Sequence, residues 1–370
     1  MFIEQNLCNF NKYSNNCGGY QIKPYFCKKL LIYSVMEHIL FKDLINEAKS
    51  KSGLLSYISN KFRGPKKKRV LFLQFNMKID THGVEDTKNF LHGAKTSEEL
   101  FRSVLKEKDP TVDVHFASYS DVYRVSEGFI CDEINLKNYN FVFFGFVSKH
   151  GTTPQLIQSY LTRYKVPFLR YESFGIYDSK AWGMELVESL GYPYIPSIVT
   201  QSLNPRVLKE VDKFGYPVIV KDPVLDRGTG VEKVDSEKAL KSKFKFNRNQ
   251  LMIQKFIPND GDFRVITMKN KMELVIKRQV TSKTEFRSNV ALGGKAVPAS
   301  LPKGIISMCE DISHHVNCDI VGFDILEDSV TGKFYVMEVN ISPHFATFCL
   351  VSNVNLPSII GDYIIDHITK

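Results

Sequence analysis

Near its C-terminal end the chain places acids inside two segments whose composition marks them as buried strands, and this conflict restricts the possible folds more than any other feature. Gly322-Phe323-Asp324-Ile325-Leu326 and Tyr335-Val336-Met337-Glu338-Val339-Asn340-Ile341-Ser342-Pro343 are dominated by β-branched and aromatic residues. The polar, glycine-bearing stretch from Glu327 to Lys333 suits a turn between them. A hairpin paired about its middle sets Asp324 opposite Glu338. Asn340 shares a face with Glu338, because side chains two apart along a strand point the same way. Two carboxylates and an amide oxygen in an apolar sheet are costly without a cation, and such hard oxygen donors suit Mg²⁺ or Mn²⁺. Asp324, Glu338 and Asn340 are therefore the expected metal ligands. The alternative, an exposed hairpin whose acids meet water, fits poorly with the apolar flanks.

At 370 residues, 43% of them hydrophobic, the chain has enough material for two or three packed units. The longest apolar run, Phe141 to Val147, has seven residues and is too short for a bilayer. The opening Met1-Phe2-Ile3-Glu4 lacks an apolar core behind it and predicts no secretory signal. The seven cysteines, scattered and without a C-x-x-C pair, read as free thiols of a reducing, cytoplasmic compartment, with neither zinc nor disulfides implied. A net charge of +9 admits ATP, an acidic peptide or nucleic acid as partner. The run Pro65-Lys66-Lys67-Lys68-Arg69-Val70 has the form of a nuclear-localisation signal, but it directly precedes a strand and reads better as a solvated boundary. Nucleic acid is the weaker reading.

Residues 1–66 read as an extension, with one amphipathic helix between Ser34 and Lys49. From 67 to 172 the pattern is α/β. Strands at Val70–Phe75, Val112–Phe116 and Phe141–Val147 alternate with helices at Ser97–Lys106 and Thr153–Tyr164, which implies a parallel sheet. The first strand is not followed by G-x-G-x-x-G, so this is not a dinucleotide fingerprint. The remainder, 173–370, divides into 173–249 and 250–370. Helices are expected at Ser179–Leu190, Pro205–Phe214 and Pro302–Val316. Strands are expected at Tyr194–Val199, Pro217–Lys221, Leu251–Ile257, Phe263–Met268 and Glu273–Val280.

One strand, Pro217 to Lys221, ends on a lysine, and Asp226-Arg227-Gly228-Thr229-Gly230-Val231 follows closely. Glycines let backbone N–H groups approach phosphate oxygens, and a strand-end lysine adds a fixed positive charge beside them. Taken alone, such a Gly-x-Gly turn is an ordinary hairpin. Further along, Gln254-Lys255-Phe256-Ile257 offers a strand edge to an adenine, and Asp262 lies where a carboxylate can accept ribose hydroxyls. Arg278, Arg287, Ser288 and Asn289 then bring guanidinium, hydroxyl and amide groups suited to a phosphoryl group.

These segments, in this order and together with Lys180, Lys277-Arg278-Gln279, Gly293-Gly294 and the acidic hairpin, resemble the ATP-grasp superfamily, and within it the RimK-type glutamate ligases. The resemblance implies an ATP-grasp fold over 173–370, preceded by a parallel α/β unit. It implies that Lys180 and Lys221 contact nucleotide phosphates, with Gly228, Thr229 and Gly230 in the covering loop. Gln254, Lys255 and Phe256 would meet the adenine, and Asp262 the ribose. Arg278, Arg287 and Asn289 would act at the reacting phosphate and acyl group, with Ser288 nearby. Three residues depart from the family pattern: Lys255 for a glutamate, Ser179 for an aspartate and His344 for a glycine. The last bears on the acceptor site.

The implied reaction is ATP-dependent joining of a carboxylate to an amine borne by an amino acid, peptide or protein. A homo-oligomer is compatible with the family. An ATP-binding module without turnover is the main alternative.

Overall fold

The apolar strand Arg69–Leu73 (β1) has Val70, Leu71, Phe72 and Leu73 fully buried, so both of its faces must be covered. It forms the centre of a parallel sheet, ordered β2-β1-β6, with Asp113–Ala117 (β2) and Phe141–Phe144 (β6) on either side. The computed structural model describes residues 68–74, 94–145, 152–171, 179–223, 230–246, 250–279, 295–345, 349, 351–352 and 354–369. The extension 1–66 and its predicted helix, Lys66 and Lys67 of the basic run, Gly228, Thr229, Arg287, Ser288 and Asn289 lie outside them.

The helix Ser97–Lys108 (α1) carries β1 over to β2. It starts where Glu99 N–H donates to Thr96 Oγ1 at 3.2 Å and Thr96 N–H donates back to the Glu99 carboxylate at 3.3 Å. Between β2 and β6 the chain makes a small antiparallel sheet of Tyr123–Val125 (β3), Gly128–Cys131 (β4) and Ile134–Asn135 (β5), which the sequence pattern did not reveal. Its two-residue turn uses Asp132 and Glu133 at φ 48° and 62°, without the glycine that usually marks such turns. The helix Thr153–Arg163 (α2) follows β6, which ends at Phe144; Phe146 and Val147 of the expected strand lie outside the described residues. Lys68, in the basic run, pairs with Asp109 at 2.8 Å, as a strand-boundary residue would.

The helix Lys180–Ser189 (α3) leads to a second sheet, ordered β7-β10-β8-β9: Ser197–Thr200 (β7), Val218–Lys221 (β8), Glu232–Val234 (β9) and Leu251–Lys255 (β10). The strand expected from Tyr194 starts at Ser197, while Tyr194 makes a single bridge to Val336. The helices Pro205–Phe214 (α4) and Glu237–Phe246 (α5) flank this sheet, and Val211 and Leu240 join Val218, Val220, Leu251 and Ile253 in its core.

A third sheet is antiparallel, ordered β13-β12-β11-β14-β15. Its strands are Gly261–Met268 (β11), Lys271–Gln279 (β12), Lys295–Pro298 (β13), Ile320–Glu327 (β14) and Phe334–Asn340 (β15). Helix Lys303–His315 (α6) lies between β13 and β14, and Leu356–Thr369 (α7) follows β15. Ile360 and Ile364 of α7 share one cluster with Val70 and Phe72 of β1 and with Ile266 and Ile276 of the third sheet. This joins the parallel and antiparallel sheets through a common core. A Cβ at Gly361 would lie 2.8 Å from Val104 Cγ1, so α7 approaches α1 as closely as only glycine permits. Among the described residues, no helix is long and apolar enough to cross a membrane.

Candidate active site

The register of the third sheet gathers charge on one face. Directly opposed residues share a face, and the structure opposes Arg278 to Asp262, Arg264 to Asp324, Asp324 to Glu338 and Gly322 to Asn340. Asp262 and Arg264 are two apart on β11, so the four strands β12, β11, β14 and β15 present a single polar row. Gly261 makes the row possible: at φ +123° its missing Cβ would lie 1.9 Å from the Arg278 carbonyl oxygen. Gly322 is required for a different reason. A Cβ there would lie 2.6 Å from Pro343 Cβ, where the chain folds back after β15.

The Asp324 carboxylate is only 5% exposed and lies between two guanidinium groups. Arg278 Nη2 is 2.9 Å from its Oδ2, and Arg264 Nε is 3.0 Å from its Oδ1. The second contact is misaligned for a hydrogen bond, so Oδ1 is buried, ionically paired and without a hydrogen bond. Burial pushes the Asp324 pKa up, but the two arginines outweigh it and hold the carboxyl below its ordinary range. Burial opposes the charge of Arg278 as well, and the Asp324 and Asp262 carboxylates keep it protonated. Asn340 hydrogen-bonds best with its amide nitrogen donating to Glu338 Oε1 at 3.2 Å and its oxygen accepting from Arg264 Nη1 at 3.1 Å.

Two amines approach from other elements. Ser179 caps α3 by accepting from the Ala181 N–H at 3.2 Å, which sets Lys180 at the helix start with its Nζ 3.7 Å from Glu338 Oε1. The Tyr194 hydroxyl donates to the Met337 carbonyl at 2.7 Å and ties the segment after α3 to β15. Lys221, at the end of β8, is 5% exposed. Burial, with Lys180 nearby, lowers its pKa to about 8 against the opposing pull of Glu338 and Asp324. Lys180, Lys221, Arg264 and Arg278 thus face Asp262, Asp324 and Glu338, four cations against three anions, and the surplus favours an anionic ligand.

On β10, Gln254 is buried and donates to Ser197 Oγ at 2.7 Å. Lys255 is exposed, as expected of a residue acting through its backbone, but its N–H already donates to the Pro196 carbonyl at 2.9 Å, which leaves its carbonyl as the available group. Phe256 is half-buried beneath Lys233, whose Nζ stands 4.0 Å from the ring centroid. Gly230 takes the positive φ of 68° that suits the end of a glycine loop. Asp262 differs most from its expected surroundings. It is 1% exposed and receives Arg278 through both Nε, at 3.0 Å to Oδ2, and Nη2. Its oxygens face a guanidinium rather than an open sugar site.

Asp324, Glu338 and Asn340 bring oxygen atoms of the kind a hard divalent cation takes onto adjacent strands, with the Asp324 oxygens turned to two guanidinium groups and the Asn340 oxygen to Arg264. Arg264 joins the row without having been singled out in the sequence. Its two-residue spacing from Asp262 was the available signal.

Comparison with known proteins bears on the same segments. The chain is 34% identical over 134 residues to the probable alpha-L-glutamate ligase of Syntrophotalea carbinolica, covering 35% of this chain and 44% of that protein. It is 23% identical over 201 residues to the alpha-aminoadipate–LysW ligase LysX of Sulfurisphaera tokodaii, covering 52% of this chain and 68% of that one. The match therefore spans less than half of the first relative and about two thirds of the second. The solved structure of the ATP-grasp ligase PsnB, complexed with a phosphomimetic variant of minimal precursor, Mg and ADP, shares the fold. It has a TM-score of 0.60 and 14% identity over 82% of this chain and 99% of that one. The RimK-like ATP-grasp domain family matches residues 198–364, which contain Lys221, Arg264, Asp324 and Glu338.

Proposed function

We propose that the protein is an ATP-dependent carboxylate–amine ligase. The observation that carries this reading is the buried charged row on the third sheet, faced by Lys180 and Lys221 from two other elements, with a surplus of cations that suits an anionic ligand. In this reading the two amines hold the triphosphate, with the Lys255 carbonyl and Phe256 at the adenine. Mg²⁺, held by Asp324, Glu338 and Asn340, supplies charge neutralisation of the phosphates. A substrate carboxylate attacks the γ-phosphorus, ADP leaves, and an amine displaces phosphate from the acyl carbon. Arg278 and Arg264 stabilise the negative charge that develops, and the residues outside the described set that the family pattern assigns, Arg287 and Asn289, act at the same centre. The side chains orient and neutralise, and none of them need become a covalent nucleophile.

The test is ADP formation from Mg-ATP with paired acids and amines, read alongside mass spectrometry for a product heavier by an amino acid. ADP that requires both partners supports the ligase. Tight Mg-ATP binding with no turnover on any pair supports a nucleotide-binding module instead.

Lys221 gives the site a pH signature. Its free-state pKa is about 8, and a triphosphate beside it raises that value, so the bound state keeps the proton to higher pH. Affinity for Mg-ATP is then full below pH 8. It falls by up to about tenfold per pH unit above that, until the raised pKa is passed. Calorimetric titrations between about pH 7 and 9.5 should show this slope in the native protein, and Lys221→Met should flatten it. A flat native profile would place the amine away from the phosphates.

A further inference from the structure

The register between β14 and β15 changes in the middle of the acidic hairpin. Asp324 lies opposite Glu338, but the next residue, Ile325, lies opposite Val336, so Met337 has no partner residue across the ladder and β15 bulges there. A bulge resets which face the following side chains take. Val336 and Glu338 are two apart, and in a regular strand they would share a face. Here Val336 enters the apolar core with Phe323, Ile325 and Val339, while Glu338 joins Asp324 and Asn340 in the polar row. A strand without the extra residue would have to bury Glu338 or set Val336 among the charges.

The segment after α3 holds this irregularity in place. It runs parallel to β15 at a single bridge, where the Val336 N–H donates to the Pro193 carbonyl at 2.8 Å and the Ile195 N–H donates to the Val336 carbonyl at 3.2 Å. Between them Tyr194 sends its hydroxyl one residue further along, to the carbonyl of Met337 itself, at 2.7 Å. The phenol is buried, and burial raises its pKa well above the ordinary value, so it stays a hydrogen-bond donor through the neutral range. The Lys180 carbonyl lies 3.5 Å from the same oxygen, and Gln254 of β10 stands beside it. One hydroxyl therefore sits among the elements that carry Lys180, Gln254 and Glu338.

Resting on the ligase reading, we infer that Tyr194 is a positioning residue for the metal site: its hydroxyl fixes the bulge at Met337 and thereby the direction in which Glu338 presents its carboxylate. It touches neither the nucleotide nor the cation. A Glu338 released from that direction still has the Lys180 amine as a counter-charge, 3.7 Å away, and gives up the cation instead. Groups that orient a metal ligand in this way are worth roughly 10–100-fold in metal affinity.

The test titrates Mn²⁺ into the full chain saturated with ADP and reads free Mn²⁺ by electron paramagnetic resonance. Tyr194→Phe removes one oxygen and keeps the ring and both backbone bonds. It should weaken Mn²⁺ binding by about tenfold or more, while ADP without metal binds as to the native protein. In the Glu338→Gln background the same change should cost nothing further, because the carboxylate it directs is gone; an effect of loosened packing would add in full. If Tyr194→Phe does not fold, 3-fluorotyrosine at position 194 keeps the hydroxyl, and its fluorine resonance should shift when Mg²⁺ is added to the ADP-loaded protein but not when it is added to Glu338→Gln. Native Mn²⁺ affinity in Tyr194→Phe, an undiminished loss in the Glu338→Gln background, or an unmoved fluorine resonance would each overturn the inference. Failure of the native chain to bind Mn²⁺ beside ADP would instead sink the ligase reading, and this inference with it.

Discussion

Asp324→Asn is expected to cut ATP consumption by roughly 10²–10³-fold. The substitution keeps the shape of the side chain and removes the charge that two buried guanidinium groups and a divalent cation would share. Because Arg264 and Arg278 then lose a counter-ion, the same change should also lower thermal stability. Glu338→Gln separates the two effects. Glu338 is more exposed than Asp324 and meets Lys180 at 3.7 Å, so its neutralisation should leave the melting temperature nearly unchanged. It should still raise the Mg²⁺ concentration needed for nucleotide binding by about tenfold, roughly 1.4 kcal/mol. Both are read by titrating Mg²⁺ at fixed ATP. Native metal dependence in Glu338→Gln would rule out the three-oxygen cage.

Asp262→Ala should destabilise the fold by about 1–3 kcal/mol, because it leaves the buried Arg278 guanidinium with Asp324 in place of two carboxylates. Arg278 is 4% exposed and gives Asp262 two of its nitrogens. This outcome distinguishes two roles for the same carboxylate. A ribose ligand, on truncation, would weaken ATP binding and leave the urea midpoint where it was. A residue that positions Arg278 would shift the midpoint first, and lower turnover through the arginine. The structure favours the positioning role, since Asp262 lies opposite Arg278 in the register with no open surface beside it.

The sequence made the acidic hairpin legible because burial and charge conflicted within a few residues, and period-two geometry then placed Asp324 opposite Glu338. Lys221 was legible as a lysine closing a strand, whereas Lys180, at a capped helix start, came only with the family resemblance. The surroundings of Asp262 were not. Whether a carboxylate faces a sugar or an arginine depends on which strand lies next to it, and the pairing of β11 with β12 fixes that only in three dimensions. Strands β3 to β5 escaped notice because they are two to four residues long and turn on Asp132 and Glu133. Helix α7 was not assigned from the sequence: it carries Pro357 in its opening turn, where proline is tolerated, and Gly361 where α1 presses closest.

The packing of α7 sets a timetable for biosynthesis. Lys108 and Asp362, in contact at 2.6 Å, are 254 residues apart, and the aliphatic flank of β1 is covered by side chains synthesised long after it. Until they emerge, Val70 and Phe72 lack part of their cover, so the nascent chain carries an adhesive surface while everything between β1 and α7 is made. Yield in a heterologous host should accordingly depend on chaperone supply more than on the stability of the finished protein.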